Sequence, residues 1–244
     1  MRYILKVSYD GKDYAGFQKQ NNERTIQEDL ENALTKALGQ DISIVASGRT
    51  DAGVSAIEQV CHFDVEGEID THRTIGYVNS LLSREVRVLC IEKSDDEFHS
   101  RYSAKRKTYE YYFYSSKVGI PVYDRFASQI GYNLDIEVMQ QACECFKGEH
   151  DFTSFCTANT SVVNKVRTIY DIHIDEVNDD LYKLSITGNG FLYNMVRIIM
   201  GTLVEVGMSK KTIQDVSIII NSKDRNNAGK TAEAKGLFLK KVEY

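Results

Sequence analysis

Residues 46–56 read Ala46-Ser47-Gly48-Arg49-Thr50-Asp51-Ala52-Gly53-Val54-Ser55-Ala56, and they lie between two β-like runs. The run Ile42 to Ala46 leads into this stretch, and the run Gln59 to Phe63 leads out of it. Short runs of this kind, rich in apolar residues and bounded by turn residues, are typical of buried strands. The sequence therefore predicts two strands joined by a tight loop.

The loop contains two glycines, one arginine and one carboxylate. Gly48 and Gly53 can adopt backbone angles that other residues avoid, so the chain can turn sharply here. Arg49 and Asp51 are two residues apart, and in an extended segment their side chains would point the same way. A charged pair held in a tight loop between buried strands is a candidate active site. An ordinary turn with a surface salt bridge has the same composition, so the pattern alone leaves both interpretations open.

Four strand-like or helix-like segments surround this region in the first hundred residues. Tyr3 to Tyr9 alternates as a strand, and a capping box at residues 25–28 starts a helix that Gly39 ends. Thr71 to Leu82 is predicted to be a second helix, and Val86 to Ile91 another strand. The resulting order of strand, helix, strand, strand, helix, strand is the split β-α-β pattern of ferredoxin-like and RNA-recognition folds.

The second part of the chain repeats this order loosely. Its predicted elements are a strand at 108–114, a helix from Asp135 to Gly148, a hairpin of 170–177 with 181–187, helices at 191–206 and 212–220, and a strand at 236–244. We predict an α+β fold of two ferredoxin-like, RRM-like halves. Residues 1–104 and 105–244 would share a mixed, mainly antiparallel sheet with a central cleft.

Composition narrows the class of protein. The chain has 244 residues, of which 42% are hydrophobic and 27% charged, so it can bury a sizeable core. No apolar run reaches the roughly 18 residues that a membrane helix needs, and the N-terminus lacks a signal-peptide core, so a cytoplasmic protein is expected. Cys143-x-Cys145 is a poor zinc spacing, and we expect small buried thiols in a helix rather than a metal site. The net charge of −5 means that any nucleic-acid binding must come from a local basic face.

Two residues outside the loop are candidates for a site. Arg197 lies in an apolar helical run, and a buried guanidinium needs an anion because it cannot be deprotonated. Pairing with Asp51 across a cleft would keep that carboxylate ionised, whereas a surface-reaching arginine is the plainer alternative. Tyr109 follows a basic connector, the arrangement that stacks an extruded base, although a core role fits the same pattern.

The run Gly48-Arg49-Thr50-Asp51-Ala52-Gly53-Val54 resembles the signature loop of the tRNA pseudouridine synthase A family. A seven-residue match of this kind is highly specific, and the resemblance covers essentially the whole chain. Further matching segments, all in the family's order, are Tyr9-Asp10-Gly11 with Tyr14, Gly16, Phe17 and Gln18, then residues 98–104, 151–155, 195–197 and 234–239.

The resemblance implies an isomerase that converts uridine to pseudouridine at positions 38 to 40 of the tRNA anticodon stem-loop. It implies Asp51 as the catalytic residue, with Tyr109, Arg49 and Arg197 binding the substrate. Tyr109 matches the family's tyrosine as the first residue of Tyr-Glu-Tyr, and Arg49 matches an arginine that helps to extrude the target nucleotide. The family is homodimeric and needs no cofactor or metal, so tRNA and a second copy of the chain are the expected partners.

The chain departs from the family pattern at three positions and leaves two other functions open. Ser55 stands where many members have histidine, Phe17 replaces a frequent tryptophan, and Glu233 occupies a site often held by proline. A noncatalytic RNA-binding module would explain the element order but not the Arg49-Asp51 loop. A nucleoside hydrolase would release free uracil, although glycosidases normally use two carboxylates. Basic residues at 101–107, 210–211, 225 and 230 are candidates for phosphate contact, or are simply solvated charges.

Overall fold

The computed structural model describes residues 1–157 and 162–244, and the chain divides into two compact units. The first unit comprises Met1–Lys105 together with Phe238–Tyr244, and the second comprises Arg106–Leu237. The predicted boundary between residues 104 and 105 agrees with the first break to within one residue. The final strand differs, because it belongs to the first unit and not to the second.

The first unit contains five strands and two α-helices. In chain order they are β1 (Arg2–Tyr9), α1 (Ile26–Leu38), β2 (Ile44–Ala46), β3 (Ser55–Asp64), α2 (Thr71–Leu81), β4 (Val86–Lys93) and β10 (Leu237–Glu243, of which 238–243 lie in this unit). The order β4-β1-β3-β2 is antiparallel throughout, which is the arrangement of a ferredoxin-like fold.

Local sequence explains why these elements form. Alternate residues of β1, from Tyr3 to Tyr9, are buried, as expected for a strand with one face on a core. Thr25 caps α1 by accepting the backbone N–H of Glu28, and Gly39 ends the helix with a φ of 65°. Thr25 is thus the N-cap and Gly39 the stop signal, as predicted, and of the predicted capping box the structure shows the bond to the Thr25 side chain. Helix α1 packs against α2.

Strand β3 pairs with two strands along one edge. Its second half pairs antiparallel with β2, with Cys61 opposite Ala46. Its first two residues, Ser55 and Ala56, pair in parallel with Phe238 and Leu239 of β10. Strand β10 therefore lies beside the start of β3, where the signature loop ends.

The second unit contains a mixed, mainly antiparallel sheet and three α-helices. The elements are β5 (Arg106–Ser115), β6 (Ser128–Ile130), α3 (Ile136–Cys143), β7 (Gly148–Asp151), β8 (Val166–Asn178), β9 (Leu181–Gly188), α4 (Met195–Gly207) and α5 (Ile213–Ser222). β5 pairs antiparallel with β9, β9 with β8 and β8 with β7, while β6 lies parallel to β5. The α+β class and the mainly antiparallel pairing are confirmed in each unit.

Two helix boundaries differ from the predictions. The third helix begins as predicted, with Asp135 as its N-cap, but α-helical structure ends at Cys143 and one turn of 3₁₀-helix follows. The helix predicted from residue 191 begins only at Met195, because Asn194 has a left-handed φ of 61° that an α-helix cannot continue through. Within the described ranges, no helix has both the length and the apolarity to cross a membrane.

Candidate active site

The signature loop, residues 47–54, is anchored from inside the first unit by Ser47 and Gln59. Ser47 is fully buried, its backbone N–H donates to the carbonyl of Val60, and its hydroxyl donates to Gln59 Oε1 at 2.6 Å. The Gln59 amide then donates to the carbonyl of Gly48 at 2.9 Å. The start of the loop is thereby tied to β3, which rigidifies the segment that carries Arg49 and Asp51.

The segment that follows β1 packs closely against the loop from another side. The backbone N–H of Phe17 donates to the carbonyl of Thr50 at 3.0 Å, and the hydroxyls of Thr50 and Tyr9 share a buried 2.7 Å hydrogen bond. Gly16 has a φ of +105°, and a Cβ there would lie 2.9 Å from the Thr50 carbonyl oxygen. Only glycine fits both this backbone angle and this approach.

The far end of the loop is held by Gly11 and Ser55. Gly11 donates its backbone N–H to the buried Ser55 hydroxyl at 3.0 Å, and a Cβ on Gly11 would fall 2.0 Å from the carbonyl oxygen of Val54. The backbone N–H of Val54 donates to the carbonyl of Asp51, which closes a turn around Gly53 with its φ of +77°. Of the two glycines predicted to allow sharp turning, Gly53 thus lies where the turn is made, whereas Gly48 has no positive φ.

This framework leaves the two charged side chains of the loop at its surface. Arg49 is exposed and Asp51 is half-buried, whereas Thr50 between them points into the buried hydrogen bond with Tyr9. The burial of Thr50 between two less buried residues is the alternation expected of an extended segment. A carboxylate on a backbone fixed from three directions is suited to nucleophilic or general-base chemistry, because its position does not depend on a flexible loop.

Tyr109 lies on β5 of the second unit, opposite Ile186 of β9. It is half-buried, and its ring meets that of Phe191 edge-to-face with centroids 5.0 Å apart. Two other aromatics of this strand have core roles: Tyr111 is fully buried and bonds to Ser128, and Phe113 stacks on Tyr182.

Arg197 lies in the first turn of α4 and is half-buried. Its Nε donates to the carbonyl of Ala232 at 2.7 Å, and its Nη1 donates to the side-chain oxygen of Asn194 at 2.8 Å. Asn194 in turn donates its amide N–H to the Thr157 hydroxyl at 2.9 Å. These bonds fix the plane of the guanidinium, and Asn194 is a residue that sequence reasoning missed. The signal was available, because an asparagine three residues before an arginine at a helix start suits both a left-handed cap and a side-chain contact.

A family model described as tRNA pseudouridine synthase matches residues 6–103 and 142–244. The chain belongs to this family. A tRNA pseudouridine synthase A of Bacillus pumilus is 45% identical over 247 residues, covering all of this chain and 99% of the relative. Proteins of the same name from Brevibacillus brevis and Bacillus subtilis are each 43% identical, over 98% and 100% of this chain and 97% and 99% of theirs.

Among solved structures, one chain of a Cbf5-Nop10-Gar1 complex has a TM-score of 0.36 and 12% identity. The alignment covers 97% of this chain and 57% of that one, and a likeness this weak supports no conclusion.

The three departures from the tRNA pseudouridine synthase A pattern all have structural roles. Ser55 receives the backbone N–H of Gly11, as described above. Phe17 is buried against Tyr9 with ring centroids 6.0 Å apart. The backbone carbonyl of Glu233 accepts the Tyr111 hydroxyl at 2.9 Å. Each departure therefore keeps a packing or hydrogen-bonding function in this member of the family.

The predicted phosphate-binding residues are in different environments. Arg101, Lys105 and Arg106 are exposed. Lys211 pairs with Glu205 at 3.4 Å, and Arg225 bonds to residues of its own loop, so these two have structural partners.

The two cysteines differ in their environments. Cys143 is buried at the end of α3, as predicted, whereas Cys145 is only half-buried in the 3₁₀ turn that follows, with its Sγ 3.8 Å from the carbonyl of Ile213. In the described part of the chain, no three side chains of metal-binding type converge.

Proposed function

We propose that this chain isomerises uridine to pseudouridine at positions 38 to 40 of the tRNA anticodon stem-loop, with Asp51 as the catalytic residue. The observation that carries the proposal is the signature loop, which presents Arg49 and Asp51 on a rigid backbone in a chain of this family. Three relatives are named for the same type of enzyme over nearly their full length.

The proposed reaction begins with extrusion of the target uridine from the stem. Unstacking a nucleotide costs a few kcal/mol, which contacts with the protein must offset. Arg49 would contact the RNA backbone of the extruded nucleotide, and Tyr109 would stack on its base. Asp51 then attacks the sugar C1′ or the uracil C6, or acts as base toward a glycal intermediate. The N1–C1′ bond breaks, the base rotates and a C5–C1′ bond forms. Any bond to Asp51 is broken again as the free carboxylate is restored, and the proton lost from C5 is balanced by one gained at N1, so the product is an isomer.

Arg197 would support Asp51 by its positive charge. An adjacent guanidinium favours the ionised carboxylate, which is the form a nucleophile or a base needs. The fixed guanidinium plane supports this role, because Asn194 and the Ala232 carbonyl hold it before substrate arrives. The proposal includes a homodimer that acts in the cytoplasm without a cofactor or metal.

The first test is nucleoside analysis of an unmodified tRNA transcript incubated with the purified protein alone. Pseudouridine should appear in the lower anticodon stem with the wild-type chain. Asp51→Ala and Asp51→Asn should abolish turnover while tRNA binding stays within about twofold. Asp41→Asn, which alters an exposed carboxylate just before β2, is the matched control and should retain full activity. Substantial activity in either Asp51 variant would contradict the catalytic assignment.

Two results would identify a different function. Free uracil in the reaction would show hydrolysis of the glycosidic bond without rejoining. Binding of tRNA with no change in its nucleosides would leave only an RNA-binding module.

Tyr109 has its own test, because stacking needs a ring and not a hydroxyl. Tyr109→Phe should bind substrate as well as the wild type, whereas Tyr109→Leu should lose most activity, by about tenfold or more. Equal activity in all three forms would show that the residue serves only the packing against Phe191.

A further inference from the structure

A turn that follows β4 presents an exposed aromatic side chain on the surface of the first unit. Tyr102 is 78% exposed, more than any other aromatic residue among those described. The ring of His99 lies beneath it, with ring centroids 4.3 Å apart and planes tilted by 32°. An exposed ring supported by a second ring is a surface on which a planar ligand can stack.

The turn is held rigid by its own hydrogen bonds. His99 Nδ1 accepts the backbone N–H groups of Arg101 and Tyr102, at 3.2 and 3.3 Å. Ser103 closes the turn, because its N–H donates to the His99 carbonyl and its hydroxyl accepts the His99 N–H. A ring fixed in this way loses little conformational freedom when a ligand stacks on it.

The turn also packs against other residues of the first unit. The His99 ring packs against His62 of β3 with centroids 4.8 Å apart. The residue before the turn, Phe98, is held by a hydrogen bond from Arg2 to its carbonyl at 2.9 Å and by ring packing on Tyr244. Tyr102, His99 and His62 therefore form a continuous row of contacting rings from the surface to the sheet, with the outer pair tilted by 32° and the inner pair edge-to-face.

A positive charge accompanies the ring. The Arg101 guanidinium lies 5.8 Å from the centroid of the Tyr102 ring, and Lys105 and Arg106 are exposed a few residues further on. An exposed aromatic ring with a neighbouring guanidinium and a basic flank is the combination that binds a nucleobase and its phosphate.

We propose that Tyr102, supported by His99 and flanked by Arg101, is a stacking platform for one unpaired base of the RNA substrate, distinct from the base that is isomerised. The proposal rests on the proposed function only in taking RNA as the ligand. The platform would place a loop nucleotide outside the stem, and it would add affinity for RNA that has an unpaired base near the modified position.

The test uses the full chain with Asp51→Ala, so that binding is measured without turnover. Fluorescence anisotropy with an anticodon stem-loop hairpin should give a Kd about tenfold weaker for Tyr102→Ala and within about twofold of the parent for Tyr102→Phe. Tyr77→Ala is the matched control, because Tyr77 is an exposed tyrosine on α2 of the same unit. A perfectly paired RNA duplex should bind all four proteins equally.

A second measurement locates the stacked base directly. Hairpins in which each unpaired nucleotide in turn is replaced by 2-aminopurine should show quenching at one position on binding, and Tyr102→Ala should abolish it. Absence of quenching at every position, unchanged hairpin binding by Tyr102→Ala, or equal weakening by Tyr102→Phe would each overturn the platform.

Failure of the proposed function can be distinguished from failure of the Tyr102 platform. If the wild type modifies a whole tRNA outside the anticodon stem-loop, the proposed position is wrong. The effect of Tyr102→Ala on binding of that whole tRNA then still tests the platform: about tenfold weakening supports it, and none overturns it.

Discussion

Asn194 combines a backbone role and a side-chain role at a single residue. Its left-handed φ of 61° sets where α4 begins, and its side-chain oxygen receives Arg197 Nη1. Asn194→Gly keeps the backbone angle and removes the amide, so we expect a thermal midpoint within about 2 °C of the wild type but about tenfold lower kcat. Asn194→Ala should lose about 1 kcal/mol of stability as well, because alanine is strained there. Full activity of the glycine variant, in thermal melts and turnover assays, would show that Arg197 needs no such support.

His62 is a residue whose burial makes stability depend on pH. Burial in the first unit, with the charges of Arg2 and His99 nearby, lowers the pKa of His62 to about 4. The unfolded chain binds a proton near pH 6.5 while the folded chain does not, so stability falls as the pH drops from 6.5 toward 4. We expect this group to account for about 1–2 kcal/mol of the loss between pH 7 and pH 5.

His62→Asn keeps an acceptor for the backbone N–H of Ser100, which now donates to Nδ1 at 3.2 Å, but it cannot titrate. Urea unfolding at pH 7, 6 and 5 should show a shallower loss of stability in this variant, with exposed His72→Asn as the control. If the free energy of unfolding falls equally with pH in the wild type and in His62→Asn, His62 is not the source of this pH dependence.

At the scale of elements, the signature loop depends on the close approach of the segment after β1. Gly16→Ala would add a methyl group 2.9 Å from the Thr50 carbonyl and 3.3 Å from the Asp51 carbonyl carbon, at a φ of +105°. We expect a loss of about 2–3 kcal/mol in stability and at least tenfold in kcat/KM, because the loop backbone must move.

Gly67→Ala is the matched control for that substitution. Gly67 has a φ of +80°, but a Cβ there would meet nothing within 4 Å. It should lose about 1 kcal/mol from backbone strain alone and keep full activity per folded molecule. If both variants lose activity equally in assays at a temperature where both are folded, close packing of Gly16 against the loop does not explain the loss of activity.

How well each element could be predicted from sequence depends on where its determinants lie. Helix α1 was predictable because Thr25 and Gly39 act within one turn of its ends. The start of α4 was missed because the apolar residues 191–193 continue the helical pattern, although Asn194, which bonds to Thr157 and Arg197, was a local signal against this. The loop's glycines and charged pair were visible in the sequence, whereas its supports at Ser47, Gln59 and Gly16 depend on tertiary contacts.

At the scale of the whole molecule, the first unit is assembled from both ends of the chain. β10 pairs with β3 where the signature loop ends, the backbone N–H of Lys105 donates to the carbonyl of Glu243, and the Tyr244 hydroxyl donates to the carbonyl of Ser100. Sequence patterns located this strand but not its partner, because pairing between distant segments leaves no local signal. Its membership of the first unit is therefore the feature that only the structure supplied.

The contribution of β10 to the first unit predicts how fragments of the chain will behave. Residues 1–105 alone lack this strand, so we expect a poorly cooperative thermal transition. Attaching residues 237–244 through a flexible linker should restore cooperativity. The linker must span the length of β10 to reach the first residue of this strand. Seven residues at 3.3 Å each are about 23 Å, so ten Gly/Ser residues suffice. The same linker followed by the β10 residues in scrambled order is the control, because composition and length are kept while the positions of the buried Leu239 and Val242 are lost. Circular dichroism melts of the three fragments measure the effect. A first fragment as stable as the tethered one would show that β10 adds nothing to this unit, and restoration by the scrambled sequence would show that its pairing is not specific.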